Sequence, residues 1–164
     1  MSALVFEIYP LLDFIAGGWE VDDLSPDSKP EMRDRSHLPW FERIAPALEG
    51  MASSLANKPM EIMPGVGGCR VHILSKEGQD FGWHKEGTPQ TISCSLFLST
   101  LNYKTDGGEL EVKPPKGKIR PRMTKSYPIQ YGDIVFFPSQ WEHRVAPLKK
   151  DVLRVAVACV FRPC

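Results

Sequence analysis

The chain has 164 residues, with 20 basic and 20 acidic side chains and a formal net charge of zero. That length suits one domain with a real core, and the charge balance offers no global field to draw nucleic acid or a membrane surface. Fifteen prolines and thirteen glycines fit many short strands joined by turns.

The four cysteines, Cys69, Cys94, Cys159 and Cys164, show no C-x-x-C spacing, so neither a zinc site nor a redox motif is visible. Cys94 and Cys159 fall inside apolar strands and read as buried free thiols. Glu7, Pro10 and Asp13 interrupt the apolar segment from Leu4 to Ile15, and no basic region leads into it. The expectation is a soluble, cytoplasmic protein with no signal peptide, membrane span or membrane partner.

Within residues 3–15, Val5 to Tyr9 fit an edge strand and Leu11 to Ile15 the start of a helix; periodicity does not separate the two. Residues 20–35 carry Glu20, Asp22, Asp23, Asp27, Glu31 and Asp34 with two prolines and no apolar period. They read as a solvated acidic loop, with an ordered lid as the alternative. From Pro39 to Ala56, Trp40, Phe41, Ile44, Leu48, Met51 and Leu55 recur at helical spacing, with Pro39 in the first turn. Pro46 is expected to kink or split that helix, because it removes a backbone donor. A helix with one apolar face needs a sheet to cover.

Past Lys58 the period falls to two. Met60 and Ile62, then Arg70 to Leu74, read as strands around a Gly65–Gly68 turn, and a short loop leads into Phe81-Gly-Trp-His-Lys-Glu86. In Thr91–Ser99 one face carries Ile92, Cys94, Leu96 and Leu98, the other Ser93, Ser95, Phe97 and Ser99. The apolar face is expected under the helix, the serine face along a cavity. Asp106-Gly-Gly turns into a strand from Glu109 to Lys113. The proline-broken stretch 113–125 then holds Lys113, Lys116, Lys118, Arg120, Arg122 and Lys125 without an acid. It reads either as a solvated hairpin whose charge protects a sheet edge or as a contact for an acidic substrate region or nucleic-acid phosphates. Three further strands follow, around Ile134–Pro138, at His143, and from Val152 to Phe161. So many short strands indicate an antiparallel barrel or jelly roll, mainly β with a helical supporting layer. The expected organisation is one domain, 1–164, with 1–60 as support and 61–164 as the β core.

The chemistry-bearing residues lie in that β core. His84 and Glu86 are two apart, which on a strand puts them on one face. His143, from a distant strand, is the best-placed third ligand. Two imidazoles and a carboxylate make the facial triad of non-haem Fe(II) oxygenases, with three coordination positions left open. Arg154, in the strand after His143, suits bidentate pairing with a carboxylate in a closed pocket. H-x-E alone is a chance pattern in many chains; its strand context with His143 and Arg154 gives it weight. Phe81, Trp83 and Trp141 suit either a substrate groove or core packing.

Three runs carry a family resemblance. They are Ser95-Leu-Phe-Leu-Ser99 with Asp106-Gly-Gly-Glu-Leu110, Gly132-Asp-Ile-Val-Phe-Phe-Pro-Ser139, and His143-Arg-Val-Ala-Pro147 followed by Arg154. Residues 69–162 thereby resemble the Fe(II)- and 2-oxoglutarate-dependent dioxygenases, especially the prolyl 4-hydroxylase-like branch with its PKHD-type hydroxylases. The resemblance implies a double-stranded β-helix (jelly roll) with His84, Glu86 and His143 as iron ligands. It implies Arg154 as the anchor for the distal carboxylate of 2-oxoglutarate. It further implies consumption of O2, release of succinate and CO2, and ascorbate as an auxiliary reductant. The leading implied substrate is a peptide or protein side chain, proline first; a small molecule or nucleic acid is the runner-up. A non-catalytic, metal-binding β-barrel is the reading outside this chemistry. Glu86 disfavours a halogenase, which needs a small residue there. Two departures stand out. Glu86 replaces the branch's usual Asp, and Phe97 stands where many relatives place a tyrosine as a second 2-oxoglutarate contact. Ser95, His72 or a water is then left to complete the pocket, although a structural role is the simpler reading of His72.

Overall fold

The computed structural model describes residues 4–7, 31–34, 39–65, 68–115 and 123–164. Eleven strands and one helix are defined among them. These are β1 (Leu4–Glu7), β2 (Glu31–Asp34), α1 (Pro39–Ala56), β3 (Met60–Ile62), β4 (Cys69–Leu74), β5 (Phe81–His84), β6 (Ile92–Phe97), β7 (Leu110–Lys113), β8 (Lys125–Tyr127), β9 (Asp133–Pro138), β10 (Glu142–Val145) and β11 (Arg154–Pro163). A larger sheet runs β1-β9-β6-β11-β4-β2, with β3 also paired to β11; a smaller one runs β5-β10-β7-β8. Every registered pair is antiparallel. Two facing antiparallel sheets form the expected jelly roll. No helix among the described residues is long and apolar enough to cross a membrane.

Alternation along the central strands gives the larger sheet two different faces. One carries Cys69, Val71 and Ile73, Ile92, Cys94 and Leu96, and Val155, Val157, Cys159 and Phe161, all buried in one cluster with Ile44, Leu48 and Ala52 of α1. Met51, Leu55 and Leu98 pack at its margin. The helix thus covers the apolar face of β6, as its pattern implies. The other face turns toward the smaller sheet and carries Leu74, Phe97, Val135, Phe137 and Ala156 against Leu110, Val112 and Val145. Cys69, Cys94 and Cys159 are buried free thiols, and hydrogen bonding to Cys69 and Cys94 together with burial pushes the Cys159 thiol up.

Helix α1 runs unbroken through Pro46, against the expectation of a split. Pro46 is exposed, so water can meet the carbonyl it leaves unbonded. Asn57 ends the helix at a positive φ of 53°, a conformation asparagine tolerates at this position. Two helix side chains then hold β3. The Met60 amide donates to Ser53 Oγ at 2.9 Å and the Ile62 amide to Glu49 Oε1 at 2.9 Å.

Residues 31–34 form a strand rather than part of an acidic loop, pairing Glu31 with Ile73 and Asp34 with Arg70 across β4. Backbone bonds make such an edge pairing, and they leave no apolar period to read. The start of the chain holds the edge strand β1 on β9; the helix considered for Leu11 to Ile15 and most of the acidic stretch lie outside the described residues. So does the middle of the basic stretch, 116–122.

Replacing Leu48, 2% exposed, with alanine is expected to cost about 2–5 kcal/mol, the usual range for a core Leu→Ala truncation. Denaturant unfolding measures it. A loss well under 1 kcal/mol would mean that α1 contributes little to covering the sheet.

Candidate metal centre

Strands β5 and β10 pair so that His84 and His143 stand directly opposite each other, with ring centroids 4.2 Å apart. Glu86 completes the group: Oε1 lies 3.8 Å from His84 Nε2 and Oε2 4.0 Å from His143 Nε2. One ligand atom from each of the three lies within 4.8 Å of the others. The residues proposed from sequence are therefore together.

Glu86 is placed otherwise than its two-residue spacing from His84 implies. Strand β5 ends at His84, so strand parity does not place Glu86; three contacts from beyond the strand do. The Glu86 amide donates to Ser139 O at 2.9 Å. Gln140 Nε2 donates to the Glu86 and Gly87 carbonyls at 2.9 and 2.7 Å. Ser93 donates its hydroxyl to Glu86 Oε2 at 3.3 Å and is hydrogen-bonded to Ser139 Oγ at 2.8 Å. Ser139 and Gln140, adjoining the Phe-Phe-Pro strand, were not singled out in the sequence. They become legible only once β9 is laid beside β6.

Both imidazoles are oriented for ligation. His84 Nδ1 contacts Gly82 O at 2.7 Å and His143 Nδ1 contacts Trp141 O at 3.0 Å. A carbonyl accepts only, so each Nδ1 carries a proton and each Nε2, on the Glu86 side, is the nitrogen left for a metal. Burial lowers the His143 pKa, against a raising contribution from its Trp141 bond, and favours the neutral form a metal needs. Two imidazoles and a carboxylate fit a divalent iron site.

These groups line a narrow cleft between the sheets, where His72, Phe81, Ser95, Phe137 and Ala158 join them. Phe81 is a wall of this cleft, stacked on His72 at 4.6 Å. Trp83 instead lies under Lys113 Nζ, 3.4 Å from its ring centroid, and Arg144, 4.9 Å away; Arg144 also pairs with Glu111. Trp141 packs at the margin of the inner core.

Arg154 is 1% exposed on the inner face of β11, in line with Ala156 and Ala158. It does not line the cleft; its guanidinium is enclosed behind it, 5.9 Å from the Phe97 ring. Nε donates to Gly108 O at 2.7 Å, while Nη1 is buried with no partner among the described residues. Burial lowers the Arg154 pKa to about 10, so the group stays cationic at neutral pH. The Gly-Gly turn makes that bond available. Gly107 and Gly108 have φ of 73° and 75°, and a Cβ on Gly107 would lie 2.2 Å from Pro147 O, a backbone approach only glycine permits. A buried cation with a free donor suits a carboxylate.

Two packed antiparallel sheets with a His-Glu-His cluster between them define the class, a double-stranded β-helix with a candidate metal centre. A family model described as the 2OG-Fe(II) oxygenase superfamily matches residues 69–162, over half of the chain, and the chain belongs to that superfamily. No curated protein matches it in sequence. Among solved structures it is similar to a Pseudomonas putida prolyl-4-hydroxylase, with a TM-score of 0.69 and 14% identity, covering 99% of this chain and 92% of that one. It is also similar to SnoN, a non-haem alpha-ketoglutarate-dependent epimerase of nogalamycin biosynthesis (TM-score 0.74, 13% identity, 98% and 78% covered). A third is a 2OG-Fe(II) oxygenase family oxidoreductase from Burkholderia pseudomallei (TM-score 0.70, 17% identity, 98% and 84% covered). At such identities the likeness is one of fold.

Proposed function

We propose that this chain, as a single catalytic domain working in the cytoplasm, is an Fe(II)- and 2-oxoglutarate-dependent dioxygenase that hydroxylates a peptidyl proline or another protein side chain. The observation that carries the reading is the pairing of two sites. Three metal-ligating groups converge with their ligand atoms within 4.8 Å of one another, and behind them lies a buried guanidinium whose Nη1 has no partner among the described residues. His84, Glu86 and His143 hold the iron, and Arg154 anchors the distal carboxylate of 2-oxoglutarate. Bound iron supplies the redox chemistry, and the chain supplies orientation and exclusion of water.

The reaction balances as substrate, 2-oxoglutarate and O2 giving hydroxylated substrate, succinate and CO2; one oxygen atom enters the substrate C–H bond and the other enters succinate. Ascorbate serves as an auxiliary reductant. The residues' work is to bind and orient. Ser93 steadies the Glu86 carboxylate, the two backbone carbonyls fix the imidazole tautomers, and Phe81, Phe137 and Ala158 shape an apolar wall. The protein substrate is favoured by overlap with the prolyl-4-hydroxylase across nearly the whole of both chains. A small-molecule substrate is the second reading, supported by the similarity to an epimerase from nogalamycin biosynthesis.

The test supplies Fe(II) and 2-oxoglutarate with proline-containing peptides, free amino acids and oligonucleotides in parallel, and reads products by mass spectrometry. The expected result is a peptide heavier by one oxygen atom, with succinate released in proportion. Oxygen gain only on a small molecule or oligonucleotide moves the substrate class. Intact metal binding without any succinate release removes the dioxygenase reading.

A further inference from the structure

We propose that His72 is a second cosubstrate-binding residue, its ring N–H donating to 2-oxoglutarate beside Arg154 and taking the place of the hydroxyl that Phe97 lacks. The argument rests on the dioxygenase reading above and starts from strand register. Across β4, β11 and β6, His72 pairs with Ala156 and Ala156 pairs with Phe97. These three form one row on the inner face, with the small Ala156 side chain leaving room between its larger neighbours. Arg154 is two residues along β11, in the next inward row, opposite Leu74. His72 and Phe97 therefore flank the approach to Arg154 from either side of β11, and only His72 carries a polar group.

The surroundings of His72 also point to a ligand. Its imidazole borders the cleft and packs against Phe81, with centroids 4.6 Å apart and the ring planes tilted by 35°. The ring makes no hydrogen bond to any described residue. The ring is half-buried, so a ligand group entering the cleft can reach its N–H and bond to it. Burial, with Arg154 the next cause, lowers its pKa to about 3, so the ring stays neutral with one N–H donor and one acceptor nitrogen. Ser95 is the competing donor, but it pairs with Ala158, one inward row farther from Arg154, about 7 Å along the strand. The nearer donor takes the role.

The test uses Mn(II)-loaded protein and titrates 2-oxoglutarate calorimetrically, with Mn(II) affinity and thermal unfolding measured alongside. His72→Phe keeps a ring on Phe81 and removes the donor; 2-oxoglutarate binding should weaken about tenfold or more, as for a lost hydrogen bond to a charged group. Mn(II) affinity should hold within about threefold, well short of the roughly 10–100-fold loss of a metal site's supporting contact. His72→Gln, which returns an N–H donor, should recover most of the loss. If His72→Phe does not fold, His72→Ala replaces it with the same expectation. The proposal is overturned if the donor-free variant binds 2-oxoglutarate like the wild type, or if His72→Gln binds as poorly as the donor-free variant. Under either result, wild-type binding that Arg154→Ala abolishes leaves the dioxygenase reading standing. Failure of the wild-type Mn(II) protein to bind 2-oxoglutarate would instead remove that reading, and this inference with it.

Discussion

Replacing Glu86 with alanine is expected to weaken divalent-metal binding on the order of 100-fold or more and to abolish 2-oxoglutarate turnover. Losing a contact that merely supports a ligand costs about 10–100-fold in metal affinity, so loss of the carboxylate itself belongs at or beyond the upper end. Ser93→Ala provides the comparison. It removes a 3.3 Å donor to Glu86 Oε2 and leaves the three ligands in place, so its loss should be nearer tenfold. Glu86→Asp should fall between them, because the shorter side chain withdraws the carboxylate from both Ser93 and the imidazoles. Mn(II) titration followed by electron paramagnetic resonance gives the three affinities. A Glu86→Ala protein that binds Mn(II) as tightly as the wild type would show that the cluster is not a metal site.

The two faces of the larger sheet were legible because burial is encoded by alternation. Ile92, Cys94 and Leu96 share a side with α1, and Ser93 and Ser95 face the cleft, as period two requires. The ligands were legible for a partly different reason from the one that places them. Two-residue spacing singled out Glu86, yet it is loop backbone bonds to Ser139 O and Gln140 that carry it to the histidines. Such contacts join residues 53 or 54 positions apart and leave no local pattern. Strand β2 was illegible on similar grounds, since main-chain bonds to β4 form it. Pro46 misled because the cost of a helix proline depends on whether the freed carbonyl faces water, which spacing alone does not give. His72 looked structural in sequence. Its standing changed when strand register put it across Ala156 from Phe97.

Replacing Arg154 with alanine is expected to raise the apparent KM for 2-oxoglutarate at least tenfold while leaving metal affinity nearly intact. The guanidinium is 1% exposed, and truncating one partner of a buried charge pair costs about 2–5 kcal/mol, much of it from the charge left behind. At about 1.4 kcal/mol per factor of ten, even the lower figure exceeds tenfold. Burial lowers the Arg154 pKa to about 10, and no carboxylate pairs with this cation among the described residues. The sign is therefore unfavourable for the fold without cosubstrate. The cost is fully present at any pH below about 10 and is relieved as pH rises beyond it. A carboxylate arriving at Nη1 relieves it at neutral pH. Binding of 2-oxoglutarate should accordingly stabilise the Mn(II)-loaded wild type against heat, by about 2.7 kcal/mol at a hundredfold excess over Kd, and leave Arg154→Ala almost unmoved at that concentration. Arg154→Lys should recover only part of the response, because a single ammonium cannot reproduce the fork that grips both carboxylate oxygens while Nε stays on Gly108 O. An Arg154→Ala protein with wild-type KM and the full thermal response would leave Arg154 a residue of the strand alone, and the anchor would have to be sought elsewhere on the inner face.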